Sequence, residues 1–153
     1  MALLGDFIVA LDIAAGNHGL VTCPQLLAAG LSSSSIARLA STPGALAPLG
    51  GGLYLIPVLE DLRFGHMRVA LQRVDPTRLL NQIAADPLGP RSGVLSHHAA
   101  AELHGALDLP LEIHVTVPRR RRLSRLIAHT VELRPEEIVF IAGMPVTSAE
   151  RTT

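Results

Sequence analysis

The segment from Asn17 to Pro57 constrains the fold most, because its capping residues, prolines and glycines leave the backbone few choices. It reads NHGLVTCPQLLAAGLSSSSIARLASTPGALAPLGGGLYLIP. Leu20-Val21 is a short apolar strand, and Thr22 follows as a helix N-cap with Pro24 inside the first turn. Leu26, Leu27 and Ala28 carry that helix to Gly30, a residue suited to the left-handed position after a helix end. Ser32 then caps a second helix, Ser33 to Ser41. Thr42-Pro43-Gly44 terminates it, since proline lacks an N–H and biases its predecessor away from helical geometry. Two extended pieces, Ala45 to Leu49 and Leu53 to Pro57, are joined by Gly50-Gly51-Gly52.

Helix, tight turn, helix and glycine-tipped hairpin is the plan of a winged helix-turn-helix. Upstream, Leu4, Phe7, Ile8 and Leu11 recur at helical spacing with Asp6 off that stripe, which predicts a first helix over Leu3 to Ala15. Asn17-His18-Gly19 closes it, and His18 reads as a capping or exposed side chain. On the helix Ser33 to Ser41, Ile36, Leu39 and Ala40 share the inward face, while Ser34, Arg38 and Ser41 share the opposite one. Such a recognition helix offers its N-terminal residues to the major groove. Ser33, Ser34 and Ser35 then bond phosphates or base edges and Arg38 makes the charged contact, or the serines merely cap the helix and keep its outside wet. Residues 1 to 59 contain Asp6, Asp12 and Arg38, one positive and two negative charges, so the net charge is −1. DNA affinity rests largely on neutralised phosphates, and this segment supplies one arginine for them.

Composition excludes several classes. At 153 residues, with 48% hydrophobic side chains, the chain is long enough for one domain or two small ones with a real core. The 13 basic residues are all arginine and balance 13 acidic ones, so no global charge calls for nucleic acid or an anionic membrane. The single Cys23 has no internal disulfide partner, as expected of a reducing cytoplasm. Asp6 and Asp12 interrupt the apolar N-terminal run, and no basic segment precedes it as in a signal peptide. The uncharged run 39 to 59 contains Pro43, Pro48, Pro57 and several glycines, unlike a spanning helix. The expectation is a soluble cytoplasmic protein.

A second domain is expected over 60–153, after a winged helix over 1–59. Glu60 to Arg73 reads as a helix with Leu62, Met67, Val69, Ala70 and Leu71 inward and Arg63, Arg68 and Arg73 on its polar side. Asp75-Pro76 reads as an N-cap and first helical residue, with Leu79, Leu80 and Ile83 leading on to Ala85. Asp86 to Gly93 is a loop, Val94-Leu95 is extended, and Ser96 caps a helix from His97 to His104. His97 and His104 share a helix face, but no cysteine or carboxylate completes a zinc pattern, so no metal or other cofactor is expected. Ser96 beside His97 and His98 has the capping role as a sufficient explanation, and no catalytic residue is assigned.

Glu112 to Val117 alternates as a strand, with Ile113, Val115 and Val117 on one side and His114 and Thr116 on the other. After Pro118, Arg119, Arg120, Arg121 and Arg122, with Arg125 beyond, form the densest charge in the chain. Placed between two strands, they read as a solvated hairpin tip, a phosphate-contacting patch or a docking site for an acidic partner. Ala128 to Leu133 and Ile138 to Ile141 add strands, and Ala142-Gly143 turns into Met144-Pro145-Val146. Thr147-Ser148-Ala149-Glu150 is a capping box that opens a helix three residues before the chain stops, so a C-terminal truncation is expected. The expected class is α+β: a winged helix-turn-helix followed by a small domain of helices and antiparallel strands.

Four pieces in order, HGLVTCPQLLAAGLSSSSIARL, GGLYLIP, VLSHHAAAELHGALDLP with EIHVTVP, and GMPVTSAERTT, resemble the AbiEi-type antitoxins of type IV toxin–antitoxin systems. The resemblance implies a non-enzymatic transcriptional repressor whose winged helix binds double-stranded operator repeats. It also implies a C-terminal antitoxin domain that counteracts a nucleotidyltransferase toxin, without a membrane role. Contact to DNA would fall to Ser33, Ser34, Ser35, Arg38 and the wing with Tyr54, with Arg119 to Arg122 as further candidates. The segment matching Thr147, Arg151 and Thr152 leads, in that family, into a longer helical region. Where the family usually has several basic residues before the wing tyrosine, Ser41 to Leu53 has none. Two alternatives stand beside this reading: an interaction protein whose winged helix no longer binds DNA, and the N-terminal part of a larger nuclease-like protein.

Overall fold

The computed structural model describes residues 2–61, 65–96, 114–118 and 126–148. The chain is mixed α+β and divides into two compact units, Met1–Arg63 and Phe64–Thr153. Among the described residues there are five α-helices and two sheets, and no helix is long and apolar enough to cross a membrane.

In the first unit, α1 (Ala2–Ala15) is followed by strand β1 (Leu20–Thr22), α2 (Cys23–Ala28) and α3 (Ser33–Ala40). Strands β2 (Ala47–Gly50) and β3 (Leu53–Leu55) complete it, and all three strands pair antiparallel in the order β1-β3-β2. Thr22 begins α2 through a reciprocal capping box: its hydroxyl accepts from the Gln25 N–H and its own N–H donates to the Gln25 side chain. Leu26, Ile36, Leu39, Leu46 and Ile56 form the buried centre with Ala10 and Ala14 of α1.

That packing corrects the expected stripe of α1. Leu4 and Ile8 are 60% and 56% exposed, whereas Ala10 and Ala14 are fully buried and Leu3, Phe7, Leu11 and Ile13 half-buried. The helix is apolar on nearly every side, so spacing alone does not choose its face. Small alanines are the side chains that let α1 approach its neighbours closely, and they set its rotation.

Gly19 is a tight backbone point of this unit. Its φ is +84°, and a Cβ there would lie 2.6 Å from the Leu59 carbonyl oxygen. Its own carbonyl accepts from the Ile56 N–H at 2.9 Å, joining the start of β1 to the end of β3. Beside it, the buried Asn17 donates Nδ2 to the Leu20 carbonyl at 2.9 Å. His18 is exposed, with Nδ1 3.2 Å from an Asp61 carboxylate oxygen.

The second unit contains α4 (Gly65–Val74), α5 (Leu80–Ala85) and strands β4 (Val94–Ser96), β5 (His114–Val117), β6 (Ile127–Thr130), β7 (Ile138–Ile141) and β8 (Met144–Thr147). The sheet order is β6-β5-β4-β8-β7. Pairs β4–β5 and β7–β8 are antiparallel, but β5–β6 and β4–β8 are parallel. The expectation of an antiparallel domain is therefore corrected to a mixed sheet.

Three local expectations also change. Glu60 and Asp61 are not helical: a 3₁₀ turn, Pro57–Leu59, takes the chain out of β3, and the Glu60 N–H closes it on the Pro57 carbonyl. Arg68 is not on a polar side: it is 6% exposed and its guanidinium donates to the Ala142 carbonyl at 3.4 Å. Asp75-Pro76 does not open α5, which starts at Leu80. Asp75 instead organises a turn, accepting from the Thr77 N–H at 3.0 Å and from Arg78 Nε at 2.6 Å. Arg78 in turn donates to the Ser92 hydroxyl at 2.6 Å, so the turn holds the loop before β4. Burial pushes the Asp75 carboxyl upward, and the Thr77 and Arg78 hydrogen bonds outweigh it, leaving the group below the usual aspartate value.

Candidate nucleic-acid interface

α3 follows α2 through a turn at Gly30, whose φ is +102°. Leu31 closes the turn from below, buried in the core and bonded through its N–H to the Leu26 carbonyl at 3.1 Å. The helix begins where Ser32 caps it, its hydroxyl oxygen accepting from the Ser35 N–H at 3.1 Å. Ile36 and Leu39 anchor one face in the core at 3% and 1% exposure. The opposite face, Ser34, Ala37, Arg38 and Ser41, is exposed. Core packing thus decides which side of α3 is offered outward, and it is the side that spacing indicates.

The three candidate serines are not equivalent. Ser32 donates its hydroxyl to Ser35 Oγ at 3.0 Å, and Ser34 Oγ lies 3.1 Å from Ser32 Oγ. Ser35 is half-buried. Ser34 and Ser35 therefore belong to the capping cluster, while Ser33 is exposed and makes no side-chain hydrogen bond among the described residues. Arg38 is exposed on the next turn, with no ion pair among the described residues. At the end of the helix, Ser41 and Thr42 donate their hydroxyls back to the carbonyls of Ala37 and Arg38, at 3.0 and 2.7 Å. Neither hydroxyl proton points outward.

The hairpin turn between β2 and β3 presents backbone only. Gly51 and Gly52 have φ of +67° and +78°, a primed turn matched to the twist of the strands it joins. Cys23, the first residue of α2, donates its N–H to the Gly52 carbonyl at 2.7 Å. The hairpin is therefore tied to the helical pair. Tyr54 does not sit at the tip: it is on the central strand β3, opposite Val21 and Pro48, and packs half-buried against the core cluster.

Arg119, Arg120, Arg121 and Arg122 lie outside the described residues, as do the expected helix from His97 to His104 and the helix start beyond Ser148. Thr147 ends β8, and the Ser148 N–H donates to the Glu137 carbonyl at 2.8 Å. A feature that spacing did not reveal is the histidine pair His114–His129, stacked with ring centroids 5.1 Å apart and facing nitrogens at 2.8 Å. One proton fits between those nitrogens. The two residues are far apart in sequence and meet only because β5 and β6 run parallel in register. Among the described residues no group of three or more metal-ligating side chains occurs.

No protein-family model matches the chain, and no curated protein matches it.

Proposed function

We propose that the first unit is a winged helix-turn-helix and that the chain is a non-enzymatic, DNA-binding repressor of antitoxin type. The carrying observation is α3, which is anchored by Ile36 and Leu39 and exposes Ser33, Ser34 and Arg38 together. In this reading α3 enters the major groove of operator DNA, with Ser33 bonding a phosphate or base edge and Arg38 making the charged contact. The Gly51-Gly52 turn approaches the backbone beside it. The capping and central-strand positions of Ser34, Ser35 and Tyr54 give them supporting roles. The resemblance to AbiEi-type antitoxins extends the proposal to autoregulation and to counteracting a nucleotidyltransferase toxin, with Arg119 to Arg122 as further phosphate contacts.

The test is a gel shift with DNA upstream of the protein's own coding sequence. Arg38→Ala should weaken retardation about ten- to a hundred-fold, the loss of one strong charged base or phosphate contact. Unchanged retardation removes α3 from the mechanism.

A second reading draws on the net charge of −1 over residues 1 to 59, one arginine against two aspartates. In it the first unit binds protein only. Salt separates the two, because DNA binding weakens steeply between low and moderate ionic strength. Absence of any binding at low salt favours the protein-interaction reading.

A further inference from the structure

β7 forms one edge of the five-stranded sheet. Its sequence, Ile138-Val139-Phe140-Ile141, has no charge, no proline and no bulge, the devices that ordinarily blunt an edge. Val139 and Phe140 are 37% and 55% exposed.

The direction of its backbone groups follows from the hairpin. The two-residue turn Ala142-Gly143 makes Ile141–Met144 the closing pair, and the Ser148 N–H to Glu137 carbonyl bond continues the same series. Glu137, Val139 and Ile141 thus point their N–H and C=O groups at β8, and Ile138 and Phe140 point theirs away. The Ile138 N–H is taken by the Pro135 carbonyl. The Phe140 N–H and C=O and the Ile138 C=O remain directed outward, and among the described residues no strand pairs with that side.

We propose that β7 pairs antiparallel with β7 of a second copy of the chain, about a two-fold axis at Phe140, joining two sheets edge to edge. The register is self-complementary. Phe140 faces the second copy's Phe140 as a hydrogen-bonded pair with the two rings side by side on one face. Val139 meets Ile141 on the other face. Charge selects the same arrangement. Glu136 and Glu137 lie at one end of β7, paired with Arg134 at 3.6 and 3.4 Å so that one net negative charge remains, and at the other is the neutral Ala142-Gly143 turn, whose carbonyl Arg68 holds. The antiparallel pair sets each net-negative end against that turn, whereas a parallel pair would align the two net-negative ends. Four-residue strands bury far less than the roughly 1,600 Å² of a standard interface, so the dimer is weak and dissociates on dilution. The inference does not depend on DNA binding by the first unit.

Sedimentation of the full chain over a wide concentration range should show reversible monomer–dimer exchange, and Phe140→Lys should weaken it about tenfold or more with an unchanged circular dichroism spectrum. Position is tested by oxidation in a Cys23→Ser background. Across a hydrogen-bonded pair the Phe140 Cα atoms would lie about 5.5 Å apart, within disulfide reach. Counting the spacing both along and between the strands, the two Ile138 lie about 14 Å apart, so Phe140→Cys should form a covalent dimer and Ile138→Cys should not. A chain monomeric at every concentration overturns the proposal. So do undiminished association of Phe140→Lys and equal crosslinking of the two cysteine variants.

Discussion

The two units solve the problem of buried polar groups differently. In the first, Asn17, Thr22 and Gln25 are buried and each bonds a group three residues away. In the second, Arg68 reaches Ala142 across 74 positions, Arg78 reaches Ser92 across 14, and His114 meets His129 across 15. The first unit is held at its polar points by caps and turns. The second adds to one local turn, where buried Gln72 and Asp75 bond within six residues, contacts between segments far apart in sequence. Local pairing leaves a signature in sequence, and distant pairing leaves none.

Point substitutions test this contrast. Tyr54 is the only tyrosine and the chain has no tryptophan, so intrinsic fluorescence reports the first unit. The largest effect is expected from Gly19→Ala, which forces a side chain into left-handed backbone and against the Leu59 carbonyl. It should lower stability by about 3 kcal/mol, read as an earlier Tyr54 transition in urea.

Next comes Asp75→Asn, which leaves Arg78 without its buried carboxylate and should cost about 2 kcal/mol in a circular dichroism melt. The folded-state value of Asp75 is depressed. Its stabilisation is therefore present above the unfolded aspartate value and is lost as pH falls through the lower, folded one. The wild type should lose stability below about pH 4, and Asp75→Asn should show a shallower acid limb. If Asp75→Asn moved the Tyr54 transition as far as the circular dichroism transition, the units would be unfolding as one and the contrast would fail.

The smallest expected effect is Thr22→Ala, about 1 kcal/mol from the lost cap of α2. A loss several times larger, read by Tyr54 fluorescence, would mean that this cap supports more than its own helix.

The candidate interface was legible to the extent that it is local. Ser32 as a cap, Gly30 as the turn, Ile36 and Leu39 as anchors and Arg38 as the exposed cation all follow from spacing and capping chemistry. The division of labour among Ser33, Ser34 and Ser35 did not, because it depends on which hydroxyls Ser32 engages. Nor did the central place of the strand that carries Tyr54, since pairing with β1 as well as β2 set it. In the second unit, helical periodicity put Arg68 on the wrong side, because an arginine reads as polar until a carbonyl from a distant turn is there to receive it.

By itself, the sequence determined that this chain makes three helices and a glycine-turned hairpin before residue 60. Caps, prolines and positive-φ glycines act within a few residues, where chain entropy is small and each signal is nearly sufficient. The face of α1, the parallel pairing of β5 with β6, the burial of Arg68 and the open edge at Phe140 came from packing between distant segments. Each of these is a choice among arrangements of similar local energy.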